Sequence, residues 1–135
     1  MRVDFYEMSG NRHADPLAVA CTLIGKAWPE AASRVAVVGR AEQLGELDRR
    51  LWEQPPGRFV PHQLGTGPAP IGLFEAPPQQ ADVLLNLDPA AGLPDGNYDR
   101  VLEIVPLDGQ ARQRLRERWR QWQQRGAELH HHKLK

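Results

Sequence analysis

Two short apolar segments most constrain how this chain folds. Residues 34–39 and 81–87 are almost continuously apolar and rich in Val and Leu. Such runs are typical of strands buried on both faces, which occur in parallel sheets covered by helices. Residues 2–7 alternate in character, as a strand does, and residues 100–106 form a further candidate strand. A sheet of largely parallel strands is therefore the predicted centre of the fold.

Helical segments separate these strands. Asp15 followed by Pro16 favours a helix start, and apolar residues then recur at helical spacing to about residue 28. A second helix is predicted over 41–53, and a last one from a cap at Asp108 to about Gln124. Shorter strands are expected at 59–62 and, at a sheet edge, at 70–74, with a loop or short irregular helix over 88–99. We predict one α/β domain over 1–128, a three-layer sandwich with helices on both faces of a mostly parallel sheet, followed by a basic, His-containing C-terminal tail at 129–135.

Length and composition fit one globular domain without a membrane segment. The 135 residues include 41% hydrophobic and 25% charged residues, and no run approaches the roughly 18 apolar residues of a membrane helix. The start of the chain lacks the apolar core of a signal peptide. Cys21 has no internal disulfide partner and is expected to be a buried thiol. These features favour a cytoplasmic protein.

The net charge of zero hides an uneven distribution. Residues 109–135 hold eight Lys and Arg against two acidic residues, a net of +6, and the rest of the chain holds nine basic against fifteen acidic residues, a net of −6. A basic C-terminal region on an acidic body indicates either an anionic partner or a solvated helix face.

The last helix carries two predicted stripes. The apolar stripe comprises Ala111, Leu115, Trp119 and Trp122, and the basic stripe comprises Arg112, Arg116 and Arg120. Arg114 and Arg118 are expected elsewhere on the surface. Three interpretations remain open: a docked helix with a solvated face, a non-specific nucleic-acid surface, or a pocket for an acidic peptide with an aromatic end.

Residues 51–64 form an apolar turn between elements. Pro55 begins a Pro-Pro-Gly sequence that stops the helix, with Trp52 before it and Phe59 after it. The two rings either cap the core or anchor a partner. His62 in the same segment is expected to be a structural histidine, with a partner contact as the alternative.

Catalytic motifs are sparse in this sequence. No glycine-rich phosphate loop follows a strand, and Gly39 with Arg40 is too little to cradle a phosphate. The carboxylates at Asp82, Asp88, Asp95 and Asp99 are spaced too irregularly to predict a metal site. The three histidines at 130–132 could chelate a transition metal adventitiously, but a flexible terminal tail is the favoured interpretation. We therefore expect no cofactor and no metal.

One segment closely resembles a known family, the chi subunits of bacterial DNA polymerase III holoenzyme. The resemblance extends over most of the chain and is most specific in a pattern made of Leu47, Asp48, Leu51, Trp52, Pro55, Phe59, Val60, Pro61, His62 and Leu64. It implies a bacterial replication adaptor without catalysis of its own, which bridges single-stranded DNA-binding protein to the clamp loader and meets DNA only indirectly.

The resemblance also implies two partner sites. The family binds the acidic C-terminal tail of single-stranded DNA-binding protein, which ends in proline and phenylalanine, through an Arg-x-x-aromatic-basic pattern that falls on Arg116, Trp119 and Arg120. Tryptophan and arginine here replace the family's usual tyrosine and lysine, which keeps an aromatic wall and a cation but can alter carboxylate geometry.

The second implied site binds the psi subunit of the clamp-loader complex. It comprises Trp52, Phe59, Val60 and Pro61, and in some relatives the same face binds an iron–sulfur helicase. Two alternatives of other classes remain open at this point. One is a degenerate α/β nucleotide-binding enzyme, and the other is a direct single-stranded nucleic-acid binder.

Overall fold

The fold is known from a computed structural model, which describes residues 1–8, 15–30, 34–53, 61–65, 67 and 69–134, without the side chains of 27–30. These residues form seven strands and three helices, with four consecutive strands between the second and third helices. They are β1 (Arg2–Glu7), α1 (Pro16–Glu30), β2 (Val35–Val38), α2 (Ala41–Trp52), β3 (His62–Leu64), β4 (Ile71–Phe74), β5 (Gln80–Asn86), β6 (Asn97–Val105), α3 (Gly109–Gln124) and β7 (Glu128–Lys133).

The strands form one sheet in the order β3-β4-β2-β5-β6-β1-β7, and every neighbouring pair is parallel. Side chains of β2 alternate between the two faces of this sheet. Val35 and Val37 pack with α1 and α2 in one buried cluster, whereas Ala36 and Val38 lie in a second cluster with α3. The predicted three-layer α/β sandwich with a parallel sheet is confirmed.

Local sequence signals account for the helix ends. The Asp15 side chain accepts a hydrogen bond from the Leu17 amide (3.0 Å), and the Asp108 side chain accepts one from the Ala111 amide (2.9 Å). Gly126 adopts a positive φ of 80° directly after α3. Glycine takes this conformation without steric cost, so the chain can reverse from α3 into β7.

Two sheet predictions need correction. Residues 70–74 were expected at an edge, but β4 lies between β2 and β3, and the three-residue β3 forms the edge on that side of the sheet. The loop predicted over 88–99 is shorter because β6 begins at Asn97, which pairs with Gln80.

The predicted tail at 129–135 is largely a strand. Residues of β7 pair in parallel with β1 along its whole length, from Arg2 opposite Glu128 to Glu7 opposite Lys133. The Leu134 amide extends the ladder by donating to the Glu7 carbonyl at 2.8 Å. The segment therefore belongs to the sheet, because its backbone groups find partners on β1 that its own sequence does not reveal.

Candidate functional site

A surface pocket of about 380 Å³ lies where α3 crosses the β1 side of the sheet. Its walls come from α3, β1, β6 and β7, and its lining residues are Phe5, Glu7, Val105, Arg112, Leu115, Arg116, Trp119, Arg120 and His131. All three residues that the family resemblance assigns to a tail site, Arg116, Trp119 and Arg120, are therefore together in one cavity.

Helical spacing explains why the basic stripe reaches this pocket. Arg112, Arg116 and Arg120 are four residues apart, so they lie one above another on the same face of α3. Arg112 is held by the protein itself, because its guanidinium donates to the Glu7 carboxylate (2.8 Å) and to the carbonyls of Met8 (2.6 Å) and Pro106 (2.9 Å). It forms a fixed wall of the pocket.

Arg116 and Arg120 differ from Arg112 in having their donors open. Both are exposed, and neither guanidinium has a hydrogen bond or ion pair with any residue that the structure describes. Each guanidinium carries five N–H donors in a planar fork that matches a carboxylate. The pocket thus offers two unpaired cations to an anionic ligand.

The apolar wall beside these cations is aromatic. The half-buried Trp119 ring meets the buried Phe5 ring edge-on, with centroids 5.1 Å apart and an interplanar angle of 61°. Edge-to-face contact of this kind stabilises the arrangement of both rings. A ligand's apolar group could therefore pack against a surface whose geometry is already fixed.

The pocket also contains one carboxylate, Glu7. Hydrogen bonds from Arg112 and from His131, whose Nε2 lies 2.8 Å from Glu7 Oε1, lower the pKa of Glu7. Glu7 is therefore ionised and largely neutralised by its partners. Sequence reasoning did not place Phe5, Glu7 or His131 in this site, because each comes from a strand distant in sequence from α3.

Arg118 corrects one prediction for α3. It was expected on the surface, but it is only 3% exposed. Its Nε donates to Glu103 Oε2 at 2.7 Å, and a second donor reaches the Ala91 carbonyl. Glu103 also accepts from Trp122 Nε1 (3.0 Å) and Asn86 Nδ2 (2.7 Å). A charged residue within the apolar strand 100–106 was the signal that could have indicated such a partner, because buried charges need pairing.

The second predicted surface lies around the end of α2. Trp52 is 62% exposed, which excludes the core interpretation of its ring. Its ring meets the His62 ring edge-on at 5.2 Å. His62 itself is buried and lies 2.9 Å from Asp48 Oδ1, as expected for a structural histidine. Pro61 is half-buried beside it, while Phe59 and Val60 lie outside the described residues.

The two surfaces are far apart in the architecture. The pocket lies on the α3 face at the end of the sheet formed by β6, β1 and β7. Trp52 and His62 belong to α2 and to β3, the strand at the opposite edge.

The alternative of a nucleotide site finds little support after β2. A Cβ on Gly39 would lie 3.2 Å from the Leu87 side chain, so this glycine serves close packing. The Arg40 amide at the start of α2 already donates to Gln43 Oε1 at 2.9 Å. Gln43 therefore occupies an amide donor that a phosphate would need at this helix start.

The structure also bears on metal binding, on the reactivity of Cys21 and on membrane insertion. Within the described ranges, no group of three or more His, Cys, Asp or Glu side chains is positioned to hold a metal ion. Cys21 is half-buried against the core, and burial raises the pKa of its thiol, which lowers its reactivity at neutral pH. None of the helices in the described part of the chain is long and apolar enough to span a membrane.

Fold and pocket together define a class of protein: a parallel α/β domain in which the pocket on α3 presents cations and aromatic rings rather than a nucleophile with its base. The particular family follows from comparison with known proteins. The family model described as "DNA polymerase III chi subunit, HolC" matches residues 1–130, so the chain belongs to the chi subunit family.

Three relatives named DNA polymerase III subunit chi support this assignment. The protein of Pseudomonas aeruginosa is 34% identical, over 98% of this chain and 96% of its own length. Those of Haemophilus influenzae and Escherichia coli are 30% and 29% identical, each over 93% of this chain and 92% of their own lengths. The chain is thus a non-catalytic accessory subunit of DNA polymerase III in replication, as the resemblance implied.

Proposed function

We propose that the pocket on α3 binds the acidic C-terminal tail of single-stranded DNA-binding protein, and that the chain links that protein to the clamp loader. The observation that carries this proposal is the pair of unpaired guanidinium groups, Arg116 and Arg120, beside the Trp119 ring in one cavity. An acidic peptide that ends in an aromatic residue supplies carboxylates for the two guanidinium groups and a ring for the Trp119 wall.

The chemistry of such a peptide matches the pocket. Its terminal carboxylate would pair with Arg116 or Arg120 in a charge-assisted, bidentate contact. Its terminal ring would pack against Trp119 and Phe5, and upstream aspartates would lie in the field of the remaining arginines. A cavity of about 380 Å³ is large enough for one aromatic side chain.

Titration with two peptides tests the proposal. One is an acidic peptide that ends in Pro-Phe, and the other lacks only the last phenylalanine. We expect the first to bind and the second to lose roughly tenfold or more in affinity, because truncation removes the anchor ring and displaces the terminal carboxylate. Equal affinities would contradict the proposal. Binding of an oligonucleotide at this pocket without peptide binding would favour the nucleic-acid alternative.

We further propose that the surface around Trp52 binds the psi subunit of the clamp-loader complex. Of the residues predicted for this site, Trp52 and Pro61 are described by the structure, whereas Phe59 and Val60 lie outside the described residues. The same face is the candidate site for an iron–sulfur helicase. The exposed Trp52 ring supports the proposal, since exposed tryptophans are frequent interface anchors. Leu64, on the same face of β3 as His62, is also exposed and would extend the apolar area.

Co-purification with psi tests this second surface. Trp52→Ala is expected to abolish recovery of psi while the variant unfolds at the wild-type temperature and still binds the tail peptide. Leu107→Ala is a matched control, since Leu107 is an exposed apolar residue between β6 and α3. Recovery of psi by Trp52→Ala at the wild-type level would rule out this assignment.

A further inference from the structure

Three consecutive histidines occupy the edge strand β7, and each has a carboxylate partner. His130 lies 2.8 Å from Glu128, His131 lies 2.8 Å from Glu7, and His132 lies 2.8 Å from Asp4. Side chains alternate between the two faces of a strand. His131 therefore points to the α3 face and lines the pocket, whereas His130 and His132 lie on the opposite face.

The charged groups around His131 come from three elements. From β1, Glu7 contacts its Nε2 directly, and from α3 Arg112, Arg116 and Arg120 line the same cavity. On β7 itself, Lys133 lies two residues further along the same face. The remaining lining residues of the pocket carry no charge, and they are Phe5, Val105, Leu115 and Trp119.

The hydrogen bond to Glu7 fixes the tautomer of the neutral His131 ring. An ionised carboxylate only accepts, so Nε2 carries the proton that points to Glu7 Oε1, and Nδ1 is the nitrogen that can take up a second proton. Histidine is the side chain whose ordinary charge change falls between about pH 5 and 8. Protonation would add one positive charge to the pocket wall without moving the existing hydrogen bond.

We propose that His131 is a further recognition residue of the pocket on α3, and that its protonation strengthens the binding of acidic peptides. This inference rests on the proposed tail-binding function. Among the described residues that line the cavity, Glu7 is the one acidic group, and Arg112 already bonds its Oε2. Protonated His131 would place a further positive charge at Oε1, so the pocket wall would gain net positive charge towards an anionic ligand. The C-terminal strand thereby becomes part of the ligand site.

Peptide titration at two pH values tests this role. The acidic Pro-Phe-ended peptide is titrated into the full chain at about pH 6 and about pH 7.5, a range in which the peptide's carboxylates stay ionised. For the wild type we expect about two- to fivefold tighter binding at the lower pH, the size of one partly exposed charge pair. His131→Gln should bind equally at both values. His131→Lys, which carries a permanent charge, should bind tightly at both.

His130→Gln is the matched control, because it removes a histidine from the neighbouring position on the opposite face of the same strand. It should keep the wild-type dependence on pH. Peptide binding that is independent of pH in the wild type, or a pH dependence unchanged in His131→Gln, would overturn the role of His131 while leaving tail binding intact. Absence of peptide binding at both pH values would instead contradict the proposed function, and this inference with it.

Discussion

Two regions of α3 use the same residue type in opposite ways. Arg118 faces the sheet, is almost fully buried, and has donors bonded to Glu103 and to the Ala91 carbonyl. Arg116, two residues earlier, is exposed, and its guanidinium has no hydrogen bond or ion pair with the described residues. The sequence of the helix does not separate the two, since both are arginines within one charged run.

The difference between these arginines lies in what surrounds them. A guanidinium is buried only when its donors are satisfied. Glu103 on β6 accepts a hydrogen bond from Arg118 and also accepts hydrogen bonds from Trp122 and Asn86. That network fixes how α3 lies on the sheet and therefore where Arg116 and Arg120 point. The buried region specifies the fold, and the exposed region is left with unpaired donors for a partner.

The largest predicted effect comes from the buried region. Arg118→Ala leaves the Glu103 carboxylate buried without its cation and should lower the free energy of unfolding by about 3–5 kcal/mol. Arg116→Ala removes an exposed side chain and should change it by less than about 0.5 kcal/mol. Urea denaturation of both variants measures the difference in unfolding free energy. Similar stabilities would contradict the different roles assigned to the two arginines.

A double variant sharpens that prediction. Glu103→Gln combined with Arg118→Met removes both charges together and keeps a carbonyl acceptor for Trp122. It should be more stable than Arg118→Ala alone, because the cost of the single change comes largely from the unpaired carboxylate. A double variant less stable than Arg118→Ala would show that the network matters for its shape and not for its charge pairing.

Trp119→Ala should produce the next largest effect, on binding. Truncation removes half of the aromatic wall formed with Phe5 and should weaken the acidic Pro-Phe-ended peptide by about 2 kcal/mol, or roughly thirtyfold. Isothermal titration calorimetry gives the affinity, and Trp52→Ala is the matched control on the opposite edge of the sheet. Equal peptide affinity of Trp119→Ala and the wild type would show that the Trp119 ring is not part of the binding site.

Much of the fold follows from local patterns that the sequence carries. The apolar runs at β2 and β5 reveal strands covered on both faces, and Asp15 and Asp108 mark helix starts. β7 could not be found in this way. It has one aliphatic residue among its six, and its stability comes from pairing with β1 more than a hundred residues away. The periodicity of a local segment does not predict pairing with a strand so distant in sequence.

The residues of the pocket on α3 also divide into those predictable from local sequence and those placed there by the pairing of distant strands. Four-residue spacing brought Arg116 and Arg120 to one face, and the Arg-x-x-aromatic-basic pattern added Trp119, so the helical half of the pocket was predictable. Phe5, Glu7 and His131 reach the cavity only through the sheet order, which places β1 and β7 next to each other. Arg118 was misplaced for the same reason, because its partner Glu103 lies on another element.

A smaller effect is expected at Asp4, where a buried carboxylate again depends on its partners. Burial alone raises the pKa of Asp4, but hydrogen bonds from Arg100, Arg2 and His132 outweigh it and lower the pKa to about 2. A lowered folded pKa gives stability that is present above about pH 4 and is lost as the pH falls towards 2.

The size of the Asp4 contribution should be about 1–2 kcal/mol, since its partners are partly exposed to solvent. Urea denaturation of the wild type and of Asp4→Asn at a series of pH values measures it. The wild type should lose its advantage over Asp4→Asn between about pH 4 and 2. A difference that stays constant through this range would show that the carboxylate's charge is not what stabilises the cluster.

The most direct test compares two exposed arginines of α3. Arg116 lines the pocket, whereas Arg114 lies outside it on the same helix, and both are exposed. With the acidic Pro-Phe-ended peptide, Arg116→Ala should bind roughly tenfold more weakly than the wild type, the loss of one charge-assisted contact, and Arg114→Ala should bind as the wild type does. Equal losses in both variants, or a loss in neither, would contradict the assignment of the pocket as the tail site.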